Sequence, residues 1–175
     1  MKQTIIFESD EYRIFKYYPT LLHPYIRGID NMYFQKIIRF FLNCLTGGVL
    51  YYLQEKGNNT IIGYCMVSKG KAFHYRYAKD TDITLGPIYL MKPWRGQRLS
   101  ILLLKTVLDD NPRATNAYAY IHRVNKQSNA LFSRMGFSPV ANVAIARFSR
   151  QVSVADQDNT DYRLYRRGQG PMPLL

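Results

Sequence analysis

Seven consecutive residues, Trp94-Arg95-Gly96-Gln97-Arg98-Leu99-Ser100, join a glycine-containing turn to the start of an apolar helical run. Backbone N–H groups converge at such a turn, the helix dipole adds partial positive charge, and Arg95 and Arg98 add full charges. A diphosphate is the group this chemistry suits; the alternative reading is an ordinary turn with solvated arginines. Proton transfer points elsewhere. His122 lies near the end of a β-like run, and imidazole exchanges protons near neutral pH; His74, Asp80, Asp82, Tyr118 and Tyr120 are further candidates, and a bound water is another. No Cys/His or Ser/His/Asp pattern suggests a covalent intermediate. Cys44 and Cys65, the only cysteines, stand far apart in apolar surroundings and give neither a disulfide framework nor a zinc pattern, so no metal is expected.

A third stretch, Val124-Asn125-Lys126-Gln127-Ser128-Asn129-Ala130-Leu131-Phe132-Ser133-Arg134-Met135-Gly136-Phe137, reads as a strand end followed by a helix that stops at Gly136. The Arg95 stretch resembles the coenzyme A pyrophosphate loop of the GNAT superfamily, [Gln/Arg]-x-x-Gly-x-[Gly/Ala] at the start of a helix. Arg95 takes the first position and Ser100 the last, while Arg98 stands where a glycine is usual. The Asn125 stretch resembles the family's other signature, matching it at Asn125, Ser128, Phe132, Gly136 and Phe137. The likeness runs from about Thr60 to Phe148; before Gly48 only the order of elements matches.

That resemblance implies an acyl-coenzyme A-dependent N-acyltransferase, with acetyl-CoA as co-substrate and direct attack by a primary amine in a ternary complex. It places the pyrophosphate on Arg95, Gly96, Gln97, Arg98, Leu99 and Ser100, and the pantetheine on Tyr89, Leu90 and Met91 with Asn125, Ser128 and Phe132 beside it. Phe132 occupies a slot where the family often has an acidic Tyr, and Thr84 one where it often has a basic Glu. His122, Thr84 and Tyr120 are therefore the catalytic candidates. His23, Tyr25, Tyr33 and His74 are the acceptor-binding candidates; the many tyrosines and the basic surface, and not the resemblance, suggest as acceptor a small-molecule amine such as an amino sugar or a nucleotide-linked sugar. The competing reading is a GNAT-like module that binds coenzyme A or nucleic acid without catalysis, for which Phe132, Thr84 and Arg98 speak.

The elements that must position these residues follow from periodicity. Thr4 to Tyr18 is strand-like with a turn at Ser9-Asp10, and Asp30 to Leu45 repeats at helical spacing with Asp30 as N-cap. Val49 to Gln54 and Thr60 to Ser68 form a hairpin about Lys56-Gly57-Asn58-Asn59. Ile83 to Met91 is a strand, Leu99 to Leu108 a helix, Ala117 to Val124 a strand and Ser128 to Met135 a helix. Val140 to Phe148 and Tyr162 to Arg166 are two closing strands joined by a polar loop around Asp156 to Asn159. The fold expected is α+β: a GNAT-like, mainly antiparallel mixed sheet with splayed central strands, Ile83 to Met91 and Ala117 to Val124, flanked by helices. One domain, 1–167, is expected, with a loose tail over 168–175.

The 175 residues carry a formal net charge of +12, which attracts polyanions. The basic residues are spread along the chain, with a modest cluster at Arg163, Arg166 and Arg167, and no nucleic-acid motif accompanies them, so nucleic acid is not the expected partner. The apolar runs fall short of the ~20 residues that span a bilayer, and no secretory signal is legible at the N-terminus. A cytoplasmic protein without membrane insertion, monomeric or homodimeric, is the expectation.

Overall fold

In the strand Tyr12–Tyr17, Phe15 and Tyr17 face one way and Ile14 and Lys16 the other; in Val49–Glu55, Leu50 and Tyr52 alternate with Tyr51 and Leu53. Aliphatic and aromatic residues on both faces predict a sheet covered on both sides. The computed structural model of the chain describes residues 2–26, 28, 34–70, 72, 75–146, 151–155 and 160–168. The elements are β1 (Gln3–Glu8), β2 (Tyr12–Tyr17), α1 (Phe34–Leu45), β3 (Val49–Glu55), β4 (Thr60–Lys69), β5 (Ile83–Leu90), α2 (Leu99–Asp109), β6 (Asn116–His122), α3 (Lys126–Arg134), β7 (Ser138–Ile145), β8 (Val152–Ala155) and β9 (Tyr162–Gly168). The hydrogen-bonded strand order is β1-β2-β3-β4-β5-β6-β9-β7-β8. It is a mixed, mainly antiparallel α+β sheet, as expected.

Two compact units divide the chain, Met1–Ser68 with Gly86–Asn111, and Lys69–Leu85 with Pro112–Leu175. In the first, β1 to β4 form an antiparallel meander. Phe40 of α1 packs into Phe15, Tyr17, Leu50, Tyr52, Ile61, Tyr64 and Met66 on one face. Helix α2 packs against β3 and buries Leu103, Leu104 and Val107. Its C-terminal end is tied to the sheet by polar bonds: the Tyr51 hydroxyl donates to Asp110 Oδ2, Lys16 Nζ reaches the same oxygen at 2.8 Å, and Asn111 Nδ2 donates to Tyr51 Oη at 2.9 Å. Burial, with the Asp110 carboxylate second, pushes the Tyr51 phenol well above its ordinary range, so it stays a donor. Fixing that end of α2 fixes the direction in which its first amides point.

In the second unit β5 pairs in parallel with β6 at Ile83↔Ala117 and Thr84↔Tyr118. Strand β9 lies between β6 and β7, antiparallel to both. Asp82 is 2% exposed. Its Oδ1 accepts from the amide and side chain of Asn116 at 3.1 and 2.9 Å, and its Oδ2 from Lys79 N at 2.8 Å, so this carboxylate pins the entry to β5.

Two strands were expected after α3, and three are present: β8, a four-residue strand, pairs antiparallel with β7. The N-cap expected at Asp30, most of the polar loop and residues 169–175 lie outside the described residues; Gly168 itself ends β9. The basic cluster is split, since Arg163 and Arg166 are exposed whereas Arg167 is 7% exposed. No helix among the described residues is long and apolar enough to cross a membrane.

Burial pushes the Cys65 thiol up to about 12, and Cys44 is raised by the same cause. A thiol above its ordinary pKa is mostly protonated and unreactive at neutral pH. Iodoacetamide at pH 8 should leave Cys65 unmodified in the native protein and alkylate both cysteines after denaturation, as intact mass will show. Native labelling of Cys65 contradicts its enclosure.

Candidate functional site

The strand β5 runs out at Leu90, a short 3-10 turn covers Lys92–Trp94, and α2 starts at Leu99. Between them the backbone turns through two left-handed residues, Gly96 at φ 84° and Arg98 at φ 60°, ψ 10°. This conformation accounts for Arg98 being the odd residue in the motif: the position demands positive φ, which glycine adopts freely and arginine only at a cost of ~1–2 kcal/mol. Alternation of left-handed with ordinary residues also turns successive N–H groups inwards, as in an anion nest.

Among the described residues the N–H groups of Gly96, Gln97 and Arg98 have no hydrogen-bond acceptor. Leu99 and Ser100 open the helix, where the amides have no intrahelical partner. Five consecutive donors are thus available. Gly96 stands clear, since a Cβ there would meet no atom within 4 Å.

The turn is braced from within the same unit. Arg95 Nε donates to Leu90 O at 3.0 Å, and its guanidinium lies 5.7 Å from the Tyr89 ring centre. Trp94 meets Tyr12 edge to face at 6.2 Å, and Tyr12 Oη donates to Gln97 Oε1 at 3.5 Å. Arg95 is therefore folded onto the end of β5, while Arg98 is exposed.

Of the three residues expected to offer amides from β5, Met91 already donates to Ile62 O at 2.8 Å. Backbone N–H groups alternate along a strand, so Tyr89 shares that direction and Leu90 faces away from β4. The amide available there is that of Leu90.

Asn125 is the N-cap of α3: its Oδ1 accepts from Ser128 N at 3.0 Å. Among the described residues no group hydrogen-bonds Nδ2 of the same side chain, so the two roles can be separated. Asn125→Ala should cost ~1 kcal/mol, seen as a fall of roughly 2–4 °C in Tm. Asn125→Asp retains the acceptor oxygen and should hold the Tm while replacing the amide donor with a negative charge. Equal Tm losses in both variants contradict the cap.

Phe132 is 4% exposed and packs edge to face on Phe137 at 4.9 Å, so its ring belongs to the core of the second unit. Thr84 has no exposed surface; its hydroxyl lies 3.4 Å from Tyr77 Oη, and burial raises the Tyr77 phenol above its ordinary range. Neither group offers an open proton acceptor. Tyr120 and His122 are half-buried on one face of β6, and His122 meets Tyr162 edge to face at 5.0 Å. His122 Nδ1 accepts from Val124 N at 3.4 Å, an arrangement in which the neutral ring carries its proton on Nε2.

The acceptor candidates lie elsewhere in the chain. His23 is exposed in a turn whose carbonyl accepts from Tyr17 Oη at 2.6 Å, and Tyr25 packs on Phe40 at 5.2 Å; both belong to the first unit. Tyr33 and His74 lie outside the described residues. A cleft of ≈ 720 Å³ opens on the first unit over Ile5, Arg13, Phe15, Ile26, Gln54 and Ile61, and none of the residues expected from the sequence lines it. Tyr162 escaped the sequence reading, and it is the pairing of β9 with β6 that sets it opposite His122.

No family model matches the sequence, and no curated protein is matched by it. The fold is nevertheless found among solved structures. An acetyltransferase from Thermus thermophilus superposes with a TM-score of 0.58 at 16% identity, over 81% of this chain and 78% of that one. An acetyltransferase of the GNAT family from Staphylococcus aureus gives 0.51 at 16% identity, over 72% and 70%. The ribosomal-protein-S18-alanine N-acetyltransferase of Escherichia coli gives 0.58 at 11% identity, over 90% and 95%. At such identities the likeness establishes the fold, which is the one the two motifs led us to expect.

Proposed function

We propose that this chain, which has the GNAT fold, transfers an acyl group from acyl-coenzyme A to the primary amine of a small molecule. The observation that carries the reading is the run of unpartnered amides from Gly96 to Ser100 at the head of α2, flanked by an exposed arginine. A diphosphate satisfies those donors and the helix dipole together. The residues present fit the group, because a Cβ at Gly96 would meet no atom within 4 Å and the turn is open there.

Coenzyme A supplies an acyl group activated as a thioester. Gly96, Gln97, Arg98, Leu99 and Ser100 hold its diphosphate by main-chain donation, with Arg98 adding charge. Leu90 N–H is directed away from β4 and serves as a donor to the acyl carbonyl, whose oxygen gains negative charge during transfer. On the motif that it matches, Asn125 is proposed to donate through Nδ2 to the pantetheine. The amine attacks directly, so no nucleophilic side chain is required. His122, a donor through Nε2, is the group proposed to orient the acceptor; one ammonium proton leaves to water, the thioester C–S bond breaks as the amide C–N bond forms, and a second proton from the nitrogen leaves with coenzyme A as its thiol.

Thermal shift with acetyl-CoA, coenzyme A and a short oligonucleotide tests the reading, since a ligand selective for the native state raises Tm. Acetyl-CoA and coenzyme A should raise it. Stabilisation by the oligonucleotide alone contradicts the proposal. Thiol release from acetyl-CoA with an added amine then tests transfer.

A further inference from the structure

Alternation on β6 puts Tyr118, Tyr120 and His122 on one face, and the register of β9 sets Tyr162 directly opposite His122. The rings form a continuous row. Tyr77 meets Tyr118 at 5.3 Å and Tyr75 at 5.8 Å; Tyr75 meets Tyr120 at 6.2 Å, Tyr120 meets Tyr162 at 6.0 Å, and Tyr162 meets His122 at 5.0 Å. The Tyr118 end is buried, whereas Tyr120, Tyr162 and His122 are partly exposed. At that open end neighbouring rings stand at 66° and 74° to each other.

The polar atoms along this end lack protein partners. Among the described residues no group hydrogen-bonds the Tyr120 or Tyr162 hydroxyl, while His122 leaves Nε2 free. No member of the row is a carboxylate, and Asp82, the buried acid of this unit, is committed to Asn116 and Lys79. A polyamine finds no counter-charge among the row's own groups, and an aromatic amine would cover the hydroxyls without satisfying them, which costs free energy. A pyranose ring presents C–H faces to the aromatic rings and hydroxyls to the unpartnered donors.

We propose that Tyr120, Tyr162 and His122 are the specificity-determining surface for the acceptor and that this acceptor is an amino sugar, free or nucleotide-linked. The inference rests on the acyltransferase reading above. Tyr162 provides the main ring contact, and the Tyr120 hydroxyl and His122 Nε2 read sugar hydroxyls.

Thiol release is measured with acetyl-CoA and, in parallel, glucosamine, uridine diphosphate glucosamine, spermidine and tyramine. One of the two amino sugars should be used best. Tyr162→Leu should raise its KM by about tenfold with kcat little changed, and Tyr162→Phe, which keeps the ring, should raise it less. The Tm increment from acetyl-CoA, read for every variant, shows that it is folded and binds. If acetyl-CoA binds but spermidine or tyramine is preferred, or neither Tyr162 variant nor Tyr120→Phe moves KM, the sugar assignment is wrong and the acyltransferase reading stands. Absence of an acetyl-CoA increment in the unaltered protein overturns both.

Discussion

Gly63→Ala should lose about 3 kcal/mol of stability, at the severe end of overpacking changes. The added Cβ would lie 2.6 Å from the Tyr89 carbonyl and against the Leu90 side chain. A side chain can rotate aside; a backbone carbonyl in a paired strand cannot. Strand β4 would have to move from β5 where Ile62 accepts from Met91, and the turn that follows Met91 would move with it. Urea unfolding of Gly63→Ala should give a lower midpoint and weaker acetyl-CoA binding together. A midpoint equal to that of the unaltered protein contradicts the close approach of the two strands.

Gly96→Val should act in the opposite proportion, with a moderate effect on stability and a larger one on binding. Nothing surrounds the site, so no steric clash opposes the side chain. The cost comes from φ 84°, which a β-branched residue resists by more than the ~1–2 kcal/mol of ordinary residues. Relaxing to negative φ swings the amides of Gln97 and Arg98 away from their common focus. Each bond lost to a charged phosphate weakens binding by roughly tenfold or more. Calorimetry with coenzyme A should show that loss while the far-ultraviolet spectrum is unchanged. Arg98→Gly provides the contrast, because it keeps the turn, gives up one charge and relieves the left-handed arginine. Its binding loss should be smaller and its Tm no lower. Equal losses in the two variants would shift the weight from main-chain geometry to the arginine charge.

Most elements could be read from the sequence because their signals are local. Runs of aliphatic and aromatic residues bounded by turns marked β2 to β5, Asp109 to Pro112 closed α2, and Gly136 closed α3. Strand β8 was missed because Val152-Ser153-Val154-Ala155 is too short to show a period. The placement of β9 between β6 and β7 depends on pairing between distant segments, which alternation alone does not encode.

The candidate site was legible to a different depth in each part. Trp94 to Ser100 carried its own chemistry, whereas the need for positive φ at Arg98 was hidden, since arginine is not a residue that announces it. Asn125 stood out as a motif residue, and its capping bond explains half of its presence. Thr84 and Phe132 were chosen by position in a motif, and burial closes both to solvent. Tyr162 becomes visible only through the β6–β9 register.

The most direct measurement follows the backbone amides of uniformly 15N-labelled protein during titration with coenzyme A. Saturable shifts of Gly96, Gln97, Arg98, Leu99 and Ser100 with one shared dissociation constant are predicted, together with a shift at Leu90. Binding that leaves those five amides in place, or no binding, would contradict the assignment of this turn as the diphosphate cradle.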